Sequence, residues 1–168
     1  AVVTWSSSGG QDGNGYGVYA RTFNVAGGAV AGASGELLVN TTTSSDQRFS
    51  SVGMDHRGGF TVAWSGFGNQ MFQVDPSQSG VYFQRFDAAG GRQGAETRAN
   101  VATAGNQWAP SIGSDGEGNF VIAFTGESGV GGPNDVYRFQ SREYVSVADI
   151  DGPLVTDVLL ANRTRMLQ

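Results

Sequence analysis

Cysteine and lysine are both absent from this sequence, and histidine occurs once, as His56. Without cysteine there is neither a disulfide framework nor a thiolate zinc site, and the redox compartment leaves no trace in the composition. A single histidine likewise excludes a histidine-rich metal centre. All ten cations are arginine and fifteen acids outnumber them, so the chain carries no basic footprint for nucleic acid or for an anionic membrane surface. Apolar runs are short. The longest, around Val121–Phe124 and Val158–Ala161, fall far below the ~18 to 20 residues of a membrane helix, so no membrane insertion is expected. The opening run Ala1-Val2-Val3-Thr4-Trp5 is already strand-like and follows no leader pattern, which reads as a start inside a longer gene.

What is present is glycine, 27 residues in 168, together with 11% aromatics. That composition excludes a helical bundle and a disordered tail and suits one domain with a real core. The sequence also repeats. QRFSSVGMDHRGGF at 47–60 and QWAPSIGSDGEGNF at 107–120 share Gln, Ser, Gly, Asp, Gly and Phe at an offset of 60 without a gap. The runs continue to Trp64 and Phe124, and the opening VVTW ends at Trp5, 59 residues before Trp64. A second landmark recurs as GVYARTF at Gly17–Phe23, GVYFQRF at Gly80–Phe86 and DVYRFQS at Asp135–Ser141. The spacing slips only between the two landmarks, which is how exposed loops behave.

Within each copy, short alternating runs are bounded by Gly, Asp, Asn and Ser, the pattern of strands and hairpins. The second copy predicts strands at Phe49–Asp55, Gly59–Ser65, Gly80–Asp87 and Ala95–Val101. On the second of these, Phe60, Val62 and Trp64 share one face and Thr61 and Ala63 the other, so both faces can be buried. The fourth strand recurs as Glu36–Asn40, Glu96–Asn100 and Thr156–Leu160. Four antiparallel strands repeating at this period describe a β-propeller blade, whereas a sandwich gives no reason for the self-similarity. The expected fold is all-β, a propeller-like array of about three four-stranded antiparallel blades that one chain leaves incomplete. Its parts are a partial first repeat at 1–48 lacking its first strand, repeats at 49–108 and 109–161, and a tail at 162–168.

The stretches Val2–Gly17, Gly17–Phe23 and GVYFQRFDAAG at Gly80–Gly90 resemble the long-period repeats of large bacterial cell-surface proteins. Asp55-xx-Gly58-x-Phe60 and Asp115-xx-Gly118-x-Phe120 are similar to the Asp-box hairpins of sialidase-type propellers, with glycine three residues after Asp instead of two. The resemblance covers residues 1 to about 144 and implies an extracellular or cell-surface location and a role in adhesion, recognition or scaffolding. It implies no reaction.

Several residues invite a chemical role. Asp12-Gly13-Asn14-Gly15-Tyr16-Gly17 has calcium-loop spacing, and the second copy offers Asp75 at the equivalent place, so calcium is a candidate cofactor with Asp12, Asn14 and Asp75 as its ligands. No closing glutamate follows, and a turn in which Asp caps its own backbone explains the same residues. Asp55, Gly58, Asp115 and Gly118 fit hairpin turns. Asp149 and Asp151 form another acidic pair with the look of a connecting turn. Tyr16, Phe67, Phe72 and Trp108 are loop aromatics on which sugar rings can stack, although Trp108, in the repeat lead-in with Phe49, also suits packing under a blade edge. A sialidase cluster of three arginines, a Tyr–Glu pair and a mobile Asp has no counterpart at any recurring spacing. His56 lies in a polar turn with no G-x-S-x-G elbow, so no enzyme is expected.

Three units of 60 need 180 residues, so about one strand with its turn is lacking from the first copy. Its second strand, with Val2, Val3 and Trp5, is then an open edge that can template pairing with another chain. The expected partner is a second copy, as homo-oligomer or filament, or further repeats of a longer chain, with Arg163 and Leu167 in a strand-donating tail. A carbohydrate-binding propeller, with glycans as partners, is the alternative.

Overall fold

In a computed structural model the described residues are 1–9, 11–23, 35–67, 79–100, 105–126, 134–139 and 165–167. They form antiparallel strands and no helix. The first sheet has the order β1 (Val2–Ser8), β2 (Tyr16–Thr22), β3 (Leu37–Leu38). The second runs β4 (Gln47–Met54), β5 (Phe60–Phe67), β6 (Ser79–Phe86), β7 (Arg92–Arg98). The third repeats it as β8 (Gln107–Ser114), β9 (Phe120–Gly126), β10 (Asn134–Phe139), β11 (Arg165–Leu167). Each is a meander of sequence neighbours, and short Asp/Gly turns close the β4–β5, β6–β7 and β8–β9 hairpins.

The first hairpin of the repeat is copied down to its irregularities, whereas β10 lies on β9 out of the register of β6 on β5: Tyr82 is opposite Trp64, but Asp135 is opposite Phe124 and Tyr137 opposite Ile122. The register of β4 against β5 slips between Arg48 and Ser51, and that of β8 against β9 between Trp108 and Ser111, 60 residues on. Within each bulge one residue adopts a left-handed backbone, Phe49 at φ 57° and Ala109 at φ 49°. The bulge makes Arg48 the structural counterpart of Trp108 and Phe49 that of Ala109, which corrects the expected pairing of Trp108 with Phe49.

The sheets pack face to face in chain order, β4 against β1 and β2, then β8 against β4, β5 and β6. Two apolar clusters result. In the first, Val18, Ala20 and Val39 of the first sheet meet Phe60, Val62 and Trp64 of the second. In the second, Val81, Phe83 and Ala99 meet Phe120, Ile122 and Phe124. Val39 to Ala99 and Trp64 to Phe124 are both steps of 60, so one interface is built twice. Both faces of β5 are covered, from Phe60 at 3% exposure to Ser65 at 0%, as its alternation predicts. The stacked pair Trp64–Tyr82 lies inside the first cluster, and Trp5–Tyr19 repeats it in the first sheet with centroids 6.3 Å apart.

Two strand placements differ from expectation. β7 occupies Arg92–Arg98 instead of Ala95–Val101, because the tight turn at Asp87–Gly91 returns the chain so that Arg92 pairs at once with Phe86. Thr156–Leu160 lies outside the described residues, and the fourth strand of the third sheet is Arg165–Leu167, with Leu167 opposite Val136. That part of the expected tail therefore belongs to its own sheet.

Candidate functional site

The repeated acids act on backbone. Asp55 Oδ1 accepts from the amides of Arg57 and Gly59, both at 2.8 Å, while the Asp55 amide donates to the Gly59 carbonyl. Asp115 repeats this with Glu117 and Asn119, and its second oxygen also accepts from the Asn119 side chain. Burial raises the Asp115 pKa, but these hydrogen bonds outweigh it and hold the carboxyl below its ordinary value. Gly58 and Gly118, both at φ 91°, supply the left-handed backbone that each turn needs. Asp87 makes a third such turn, accepting from Ala89 and Gly91, with Gly90 at φ 85°. Between the two Asp hairpins, His56 donates its amide to the Gly116 carbonyl, and its imidazole stands 3.5 Å from Glu117.

At the other end of the strands a second set of polar residues fastens sheet to sheet. Asn40 Oδ1 accepts from the Val18 amide at 2.8 Å, and its Nδ2 reaches Gln47 Oε1 at 3.4 Å. Asn100 does the same with Val81 at 2.9 Å and Gln107 at 2.9 Å. Asn40 thus ties β2 to β4 and Asn100 ties β6 to β8, and all four amide side chains are at most 3% exposed. Asp46 and Asn106, again 60 apart, accept from the first amide of β2 and of β6. Glu96 bridges back to the first repeat, taking the Thr41 and Thr42 amides and the Thr41 hydroxyl, whereas Glu36 is exposed. These latches escape a reading by residue type because a buried Asn looks like a surface Asn in sequence. Their signal is recurrence, Asn40 with Asn100 and Gln47 with Gln107.

The loop aromatics are divided. Tyr16 is covered by the Arg48 guanidinium, 3.7 Å above its ring, and Arg48 is in turn paired with Asp46. Phe67 takes Phe49 edge-on at 6.1 Å. Phe49, at 55% exposure, and Trp108, at 38%, are open to solvent. Phe72 lies outside the described residues, as do Asp75, Asp149, Asp151 and Arg163. Of the calcium candidates, Asp12 Oδ1 accepts from the Asn14 amide at 3.2 Å, and Oδ2 faces the Asn40 amide group at 3.4 Å. No group of three His, Cys, Asp or Glu able to hold a metal ion occurs among the described residues. A cleft of about 30 Å³ between the Asp55 and Asp115 hairpins, lined by Gly53, Arg85 and Ser114, has room for about one water.

Val2 turns into the first cluster, and Val3 is 50% exposed on the opposite face, with Trp5 half-buried on the same side. β1 pairs along its whole length with β2, and among the described residues nothing pairs with its other edge. No protein-family model, curated protein or solved structure matches this chain.

Proposed function

We propose that this chain is a non-enzymatic repeat module of the bacterial cell surface or extracellular space, a propeller-like series of sheets that self-associates by β-strand complementation in a scaffold or adhesive role. One observation carries this reading. β5 and β9 each have a first strand beside them, β4 and β8, and β1 has none among the described residues. An edge of seven residues with Val3 exposed is a template for another strand, and no lysine is present to blunt it. The donor is a segment of first-strand type from a neighbouring repeat, in another copy or further along a longer chain. Arg165–Leu167 is already engaged on β10. The recurring acids are occupied by turn amides and interstrand links, which supports a structural use of them over acid–base chemistry.

The test is light scattering over a concentration series, with and without a synthetic peptide of the β4 sequence Gln47–Met54. Self-association that the peptide caps supports the proposal, and a strict monomer that ignores the peptide contradicts it. A glycan array addresses the lectin alternative, which rests on Phe49 and Trp108 because Arg48 covers Tyr16.

A further inference from the structure

We infer that copies of this chain stack head to tail, the outer face of the third sheet of one copy receiving the outer face of the first sheet of the next. The inference rests on the self-association reading and specifies the surface it uses.

The template is the interface that the chain builds twice within itself. The second sheet receives the third on a face of small residues, where Gly53 lies under Ile112, Ala63 joins the second cluster, and the Ser51 and Ser65 hydroxyls accept from the amides of Ile112 and Ala109. Sixty residues on, the third sheet carries Ser111, Gly113, Ala123 and Thr125 at the same places. These are not covered. Ser111, Gly113 and Ala123 are exposed, and Val121, in the register of the buried Thr61, is 38% exposed. A receiving face is therefore present with no sheet upon it among the described residues.

The inserting face is present too. Phe60, Val62 and Trp64 insert into the first sheet, and Phe120, Ile122 and Phe124 into the second. Their counterparts in the first sheet are Ala1, Val3 and Trp5, on the side of β1 turned away from the second sheet. The surface at one end of the chain is thus the register copy of the second-strand part of what fits the other, and the first-strand part, which β8 supplies within the chain, has no counterpart on the first sheet among the described residues. A second copy is an occupant whose complementarity the molecule itself displays, and such a contact is heterologous, so it propagates as a filament or closes into a ring. The berth of a first strand, over Ser111 and Gly113, then adjoins the open edge of β1 of the incoming copy, so both incomplete features meet at one junction.

The experiment is sedimentation velocity on the full chain and on two variants, Val3→Arg and Val121→Arg, each blocking one face at a partly exposed position. Wild type should grow beyond a dimer or reach a closed ring with rising concentration. Each variant alone should stay monomeric, and an equimolar mixture should form a dimer and nothing larger, because it contains one intact pair of faces. Far-UV circular dichroism and melting confirm that each variant folds, and Val3→Glu and Ala123→Arg repeat the test if one does not. Assembly of Val121→Arg and Ala123→Arg alone, to the size of wild type, overturns the stacking and leaves assembly through the β1 edge intact. A wild-type chain that is monomeric at all concentrations overturns both readings.

Discussion

β5 and β9 are the same strand in two settings. Both place Phe, an aliphatic residue and an aromatic residue on the face toward the preceding sheet, and on both that face is buried. On the other face they part: Thr61, Ala63 and Ser65 lie under the third sheet, whereas Val121 and Ala123 are exposed. The sequence pattern differs little between them, so the difference in burial comes from the neighbour and not from the strand. A residue's role in this molecule is set by its repeat position together with whether the next sheet is there.

Substitutions at paired positions separate those two contributions. Ala63→Arg places an unpaired charge in a closed interface and should abolish folding or cost several kcal/mol, with about 3–5 kcal/mol the scale for an uncompensated buried charge. Ala123→Arg, its register copy, should leave the monomer's melting temperature within a degree or two. Equal effects at the two sites would mean that something covers the third sheet. Trp64→Ala should cost about 3–5 kcal/mol in chemical denaturation through lost burial and the cavity left, and Trp5→Ala markedly less, because Trp64 is fully buried and Trp5 half-buried.

The interfaces also depend on their latches. Asn100→Ala should cost about 1–3 kcal/mol, since it leaves the Val81 amide and the Gln107 side chain without their shared partner in a buried place. Asn40→Ala should cost a similar amount at the first junction, and a cost at only one of them would break the equivalence of the two interfaces.

The smallest effect is electrostatic. The folded Asp115 carboxyl titrates below its ordinary value, so its contribution to stability is fully present above about pH 4–5 and is lost as pH falls through the folded pKa. Asp115→Asn should therefore be less stable than wild type at neutral pH, with the gap closing under acid. A gap that is constant down to the acid limit would show that the charged form makes no special contribution.

The sheets were readable in the sequence because their determinants are local. Alternation placed Phe60, Val62 and Trp64 on one face, and the 60-residue step predicted the third sheet from the second. The fourth strand of that sheet was not readable, since pairing of Arg165–Leu167 with Val136–Arg138 has no local signature. Nor was the covering of Tyr16, which depends on where Arg48 arrives from the next sheet. The exposure of Phe49 has no signature in the strand period either, because a bulge with a left-handed backbone decides where its side chain sits.

Hydrogen exchange of the Val2–Ser8 amides as a function of protein concentration tests most directly whether β1 is an edge that takes up a strand on assembly. Amides of β1 that do not bond to β2 should exchange freely in dilute protein and gain protection as the chain assembles. Exchange rates for these amides that stay the same from dilute to concentrated protein would contradict such uptake.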